Sequence, residues 1–221
     1  MLIESESKLY IYPIPRDLGF APNPFHGICT LATCKPHIRG KAKLGDWVMG
    51  LAGANIKGIK HHCIFLMKVT EIVTFDKYWS DPRFEIKKAI RNGSKVRVLG
   101  DNIYHKDKSG NWVQENSHHS NADGSYNLEN LKTDTGTTEN VLISTCFRYF
   151  GSEAEFVDLQ KLDYGRIRNY RKISFDNNTY AKDIINHFFS ARNEVNLVSS
   201  DPCHFDLYDQ RVDQKSGRYS S

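Results

Sequence analysis

The sequence predicts an α+β fold: a curved, mostly antiparallel sheet or small β-barrel with few flanking helices. Three observations predict it. Short β-prone runs carry most of the apolar residues: KLYIYPI at 8–14, WVMGLA at 47–52 and IFLMKVTEIVTF at 64–75. Glycine, proline and Gly-Asp turn signals separate these runs. A helical period stands out near one end of the chain, where Ile184, Ile185, Phe188 and Phe189 share a face.

The 221 residues suffice for one domain with a real core, spanning 1–221. KLYIYPI gives the first strand. Pro13, Pro15, Pro22, Pro24 and Pro36 then exclude a regular helix or central strand. Phe20, Phe25, Ile28, Leu31 and Ile38 are too apolar for solvent, so this stretch reads as an ordered, partly buried loop with a short helix over 28–34. Trp47 to Ala52 follows a Gly45-Asp46 turn as a strand, and residues 52–60 read as a glycine-rich hairpin. The run 61–75 is one long, bent central strand, 76–84 an aromatic exit loop, and SKVRVLG at 94–100 a strand. Residues 101–140 are poor in apolar side chains and read as a polar surface insertion. NVLISTCFRYFG returns to strand, and a helix over 178–192 starts at an Asn177 or Asn178 cap. The tail, about 209–221, reads as frayed.

Five cysteines, odd in number and scattered, do not form a disulfide framework. No apolar run approaches the roughly 20 residues that cross a bilayer. The start, MLIESESKLYIY, does not read as a secretory signal, so a cytoplasmic location with no membrane partner is expected. The net charge of +4 announces no partner, but its distribution is uneven. Residues 1–60 hold eight Lys or Arg against four Asp or Glu, and KLDYGRIRNYRK at 161–172 holds five basic residues and one acid, interleaved with Tyr164 and Tyr170. Basic and aromatic residues together suit phosphates and bases, and equally suit a solvated turn.

NPFHGICTLATCKPHIRG, 23–40, is the densest stretch of chemistry. His26, Cys29, Cys34 and His37 have the paired spacing of zinc ligands, yet crowd into twelve residues with no second arm to tie down. Cys29 and Cys34 read alternatively as buried or as reactive thiols. The third reading is polar capture, with Arg16, Asn23, Lys35 and Arg39 holding a ligand or its phosphate and His26 as acid or base. No structural zinc and no cofactor are expected.

GDNIYHKDKSGNWVQENSHHS, from Gly100, is the second constellation. His118 or His119 would serve as acid or base, with Asp101 and Asn102 orienting a histidine or a ribose hydroxyl. Trp79 sits where it could stack a base, and Trp47 reads as core. Walker, dinucleotide-binding, hydrolase-elbow and zinc-deaminase motifs are absent.

DLGFAPNPFHGICTLATCKPHIR, GDWVMG, DPRF, GDNIYH and SHHS, in this order from about residue 8 to 151, resemble the bacterial nucleotide-modification-associated domain family of the second type. In that family a basic residue stands at the place of His37, which removes one zinc ligand. The resemblance implies a place in a base-modification or anti-phage system, with a nucleotide or nucleic acid, DNA or RNA, as partner. The succession GDWV, glycine-rich hairpin, long strand and DKYWSDP is also similar to PUA-like barrels, which hold bases between aromatic side chains. Two functions follow as expectations: recognition with modification of a nucleotide or base, or a non-catalytic reader with an aromatic pocket. A ligand-free accessory subunit is the third.

Overall fold

A computed structural model describes residues 3–165, 169–190, 195–212 and 219–220. Five strands come early: β1 (Lys8–Ile14), β2 (Cys29–Leu31), β3 (Trp47–Ala52), β4 (Cys63–Lys68) and β5 (Glu71–Thr74). Then follow β6 (Tyr104–Lys106), β7 (Trp112–Gln114), β8 (Asn140–Ser144), β9 (Phe147–Tyr149) and β10 (Arg171–Ser174). Short pairs close the chain: β11 (Leu197–Val198), β12 (Arg211–Val212) and β13 (Tyr219–Ser220). The helices are α1 (Pro36–Arg39), α2 (Phe75–Ser80), α3 (Lys95–Val98), α4 (Leu128–Thr135) and α5 (Thr179–Phe188).

The main sheet has six strands in the order β10-β1-β3-β4-β9-β11, and a second has β2-β8-β5. Antiparallel pairs dominate, and among the described residues no sheet closes into a barrel. The fold is α+β, and of the two expected forms the open sheet is the one adopted.

Alternate residues of the main sheet enter different cores. Leu9, Ile11, Trp47, Met49 and Leu51 pack on one face with Ile184, Ile185 and Phe188 of α5. Tyr10, Tyr12, Val48 and Ala52 pack on the other with Leu31 and Ile38. Both faces of these strands are buried, so the alternation expected of KLYIYPI is one between two cores rather than between core and solvent. Asn178 caps α5, its side chain accepting the Ala181 N–H at 2.8 Å.

β1 and β3 run parallel, so the chain between them must cross over the sheet. The proline-rich stretch is that crossover. It lays β2 and α1 on the face bearing Tyr12, and so places Cys34 there. The expected helix over 28–34 is instead β2 with α1 after it, because Pro36 suits only a first helical position. The expected single strand 61–75 breaks at Val69-Thr70, β4 pairing in the main sheet and β5 in the smaller. β8 and β9 divide in the same way. Thr74 caps α2 where an exit loop was expected, and 95–98 is a helical turn rather than a strand, burying only Val98. No helix among the described residues is long and apolar enough to cross a membrane.

Candidate active site

Cys34, His119 and Asp134 meet on the crossover face. The chain reaches Cys34 in the left-handed region, with φ of 58°, and Lys35 follows at 41°. Two consecutive non-glycine residues there are strained, by about 1–3 kcal/mol each. Pro36 keeps Lys35 out of the right-handed helical region. The Cys34 N–H donates to Asp134 Oδ1 at 2.7 Å, and Arg39 Nε donates to the Cys34 carbonyl at 2.9 Å. Both backbone groups of Cys34 are therefore held, and its half-buried side chain is aimed.

Sγ of Cys34 lies 3.9 Å from His119 Nε2, and His119 Nδ1 lies 2.8 Å from Asp134 Oδ2. α4 supplies the support. Asn127 caps it, accepting the Asn130 N–H at 3.0 Å. One helical turn separates Asn130 from Asp134, so both face the histidine loop. Asn130 Nδ2 donates to the His119 carbonyl at 2.8 Å, and Tyr104 OH donates to Asp134 Oδ2 at 2.9 Å.

The electrostatics follow from burial. Removal from water alone would lower His119, but the Asp134 carboxylate, then Cys34, raise it to about 10. Burial also opposes charge on Asp134, yet His119, Arg39 and the Cys34 N–H hold its carboxyl below the ordinary range. The resting pair is imidazolium and carboxylate. By contrast burial pushes Cys29 and Cys203 up to about 12, and raises Cys63 and Cys146.

A strap of the C-terminal segment closes over the histidine loop. Arg211 donates to Ser117 O at 2.7 Å, Ser120 Oγ at 2.6 Å and Asn116 Oδ1 at 3.0 Å. His118 Nδ1 donates to Gln210 O at 2.7 Å. Burial, then the neighbouring His119 charge, push His118 down to about 3, so it stays neutral. Phe20 packs on both histidine rings, with centroids 5.0 and 4.8 Å away.

The 16–39 and 101–120 segments do pack together, through Phe20 on both histidines, Thr30 on Asp101, and Cys34 on His119. His26 is exposed, as is His37, while Cys29 is fully buried, so the four-residue palindrome converges on no common point. His119 bridges Cys34 and Asp134 through its two nitrogens, a geometry for proton transfer rather than for joint ligation. Among the described residues no group of three His, Cys, Asp or Glu side chains is placed to hold a metal.

Other expected site residues form a buried framework. Asp101 accepts from Thr30 Oγ1 at 2.6 Å and Tyr78 OH at 2.8 Å. Lys87, pushed down to about 8 by burial, donates to Asn23 O, Asn23 Oδ1 and Ile28 O at 3.0, 2.7 and 2.6 Å. Asn102 Nδ2 donates to Tyr78 O and Phe84 O. Arg39, expected on phosphate, is fully buried and spends its guanidinium on the carbonyls of Cys34, Asp134 and Asn140. Lys35 lies with its ammonium 4.9 Å over the Tyr12 ring, beside Cys34, and Arg16 is half-buried on the loop. Trp79 is stacked by His105 at 4.1 Å and covered by Lys88 at 3.9 Å. Arg166 and Arg168 of the basic stretch lie outside the described residues. The sequence reading missed Asp134, Lys87 and Arg211. For Asp134 the available signal was an Asn cap at 127 followed by Asn130 and Asp134 at helical spacing.

Comparison with known families matches residues 6–209 to the one described as nucleotide modification associated domain 2, a span that includes Cys34, His119 and Asp134 but not Arg211. No curated protein and no solved structure matches the chain.

Proposed function

The chain belongs to the nucleotide modification associated domain 2 family, and we propose that it is a thiol enzyme that cleaves or transfers an acyl group carried by a nucleotide or by a base in DNA or RNA. The observation that carries this reading is the alignment of Cys34 Sγ, His119 and Asp134, at 3.9 and 2.8 Å. Nucleophile, acid–base imidazole and orienting carboxylate recur in this relation on unrelated folds, recognised by geometry and role rather than by position in the chain. The sulfur–nitrogen distance is long, as such contacts commonly are before substrate binds.

An imidazolium beside the sulfur is the partner a thiolate nucleophile needs. The thiolate attacks the carbonyl carbon of an amide or ester. The C–S bond forms, the bond to nitrogen or oxygen breaks, and His119 Nε2 gives its proton to the departing group. Neutral His119 then takes a proton from water. The hydroxide attacks the thioester, the C–S bond breaks, the carboxylic acid leaves, and thiolate and imidazolium are restored. Asp134 holds the ring throughout. We assign Lys35, next in the chain, to an anionic part of the substrate, which its ammonium would meet by leaving the Tyr12 ring.

The setting we propose is a bacterial base-modification or anti-phage system in the reducing cytoplasm, where five free cysteines, the nucleophile among them, stay reduced. A reader built on an aromatic cage has less support, because the Trp79 ring is already occupied.

The test is a panel of nucleosides and oligonucleotides bearing base-linked amides and esters, quenched in acid and analysed by intact mass. An acyl adduct on Cys34 and product release are expected, both lost in Cys34→Ala. Undiminished turnover by Cys34→Ala would overturn the reading.

A further inference from the structure

A second feature lies apart from Cys34. A cleft of about 520 Å³ opens where β1 and β3 end, lined among others by Pro13, Leu51, Gly53, Lys60, His61 and Tyr164. This volume lies within the roughly 300–1,000 Å³ of small-molecule sites. Leu51 and Leu159 at the cleft belong to the core on the α5 face of the main sheet. Ile38 and Tyr12, beside Cys34, belong to the core on the opposite face. The cleft thus sits at the strand ends, where Leu51 belongs to one core and Ala52 to the other, and none of Cys34, His119 and Asp134 lines it.

The wall is built rather than incidental. The Gly53 N–H donates to Ile14 O at 2.8 Å, and a Cβ there would come within 2.7 Å of that same oxygen, so only glycine lets the two strand ends close up as the floor. The His61 N–H donates to Ala52 O at 2.7 Å, which ties the hairpin to the strand end and sets the His61 side chain at the mouth. Lys60 is exposed, and its ammonium pairs with no carboxylate among the described residues. The Tyr164 hydroxyl is shielded from solvent and, like several other buried polar atoms, has no hydrogen-bond partner among the described residues; at the cleft a ligand could supply one. One cation, one imidazole, one unpaired hydroxyl and an aromatic ring over an apolar floor thus converge on one space. The hairpin that follows β3 and the basic, tyrosine-bearing segment from 161 meet there.

We propose that this cleft is a nucleotide-binding subsite distinct from the thiol centre, with Lys60 and His61 holding a phosphate and Tyr164 packing against the base. The choice of nucleotide over other phosphates rests on the family's association with nucleotide modification. The chemistry is shared by a free mononucleotide and by one unit of a strand. Lysine acts on phosphate as a point charge, and base–aromatic stacking tolerates any base. The cleft would then anchor a nucleotide while chemistry proceeds at Cys34.

The test measures binding of dAMP and of inorganic phosphate by calorimetry, and of a labelled single-stranded DNA oligonucleotide by anisotropy, at low salt. Wild type, Lys60→Glu and Tyr164→Ala are compared, and the iodoacetamide reactivity of Cys34 is read in parallel. The expected result is measurable dAMP binding, at least tenfold weaker in Lys60→Glu and at least fivefold weaker in Tyr164→Ala, with Cys34 reactivity unchanged in both and melting temperature unchanged in Lys60→Glu. Oligonucleotide binding weakened alongside dAMP identifies the strand as a ligand of the cleft, and dAMP binding alone weakened identifies the free nucleotide. Undiminished binding of both nucleotide probes by the two variants would defeat the subsite while leaving the nucleotide reading standing. Binding of phosphate as tight as dAMP would defeat the nucleotide assignment. No binding of any probe by wild type would defeat both, and the thiol reading would still be judged separately by the Cys34 reactivity.

Discussion

Replacing Asp134 with Asn removes one charge from the buried pair and turns one of its two accepting oxygens into a donor. In the folded protein Asp134 accepts the Cys34 N–H at 2.7 Å and the Tyr104 hydroxyl at 2.9 Å, and faces His119 Nδ1 at 2.8 Å. His119 is held from 6.5 up to about 10. At 1.36 kcal/mol per pH unit, this net shift corresponds to about 5 kcal/mol in favour of the charged ring after its desolvation is subtracted. Removing one partner of a buried ion pair costs about 3–5 kcal/mol in general. A loss of about 3–5 kcal/mol at pH 7 is therefore expected in Asp134→Asn. Its pH dependence has a definite sign. A histidine raised on folding contributes its full stabilisation below pH 6.5, loses it progressively as pH rises, and contributes none above about 10. Urea denaturation at pH 6, 8 and 10 should show the gap between wild type and variant shrinking at each step. A loss under about 1 kcal/mol at pH 6, or a gap constant from pH 6 to 10, would refute the ion pair, since it would lie far below the cost of breaking one.

Arg211→Met frees the histidine loop of three hydrogen bonds from a charged donor, at a cost of about 2–4 kcal/mol by urea denaturation. It should also slow Cys34 alkylation several-fold, with Arg211→Lys intermediate in both. Lys87→Met leaves three buried oxygens without their donor, so a loss of at least about 2 kcal/mol is expected, with Cys34 alkylation kept in the protein that remains folded.

The sheet strands were legible because both faces of the main sheet are buried: after Lys8, KLYIYPI and WVMGLA hold only apolar and aromatic residues, proline and glycine. The α5 helix was legible from its face and its Asn178 cap. The break at Val69-Thr70 was not, because a bent hairpin shared between two sheets leaves the apolar run uninterrupted. Nor was the turn at 95–98, where KVRV mimics a strand yet buries only Val98. At the site, Cys34 and His119 were both singled out by local density of chemistry. Their pairing was hidden, since 85 residues separate them and only the crossover and α4 bring them together. Arg39 looked like a phosphate ligand for the same reason that it is buried. A guanidinium offers five donors, and three carbonyls inside the fold require them. The polar composition of 101–140 pointed to the surface, yet it holds His118, His119, Asn130 and Asp134, all buried, with His119 bonded to both Asn130 and Asp134. Composition cannot distinguish a solvated polar segment from one that folds around a polar network.

The most direct measurement is the rate of iodoacetamide alkylation at each cysteine at pH 6, read by peptide mass. Cys34 faces an imidazolium, while burial raises Cys29, Cys63, Cys146 and Cys203. Cys34 is expected to react first, at least tenfold faster than the other four, and His119→Ala to abolish the advantage in a protein that still folds. Alkylation of Cys34 no faster than that of the other four cysteines, or a fast rate undiminished by His119→Ala, would contradict the thiol reading.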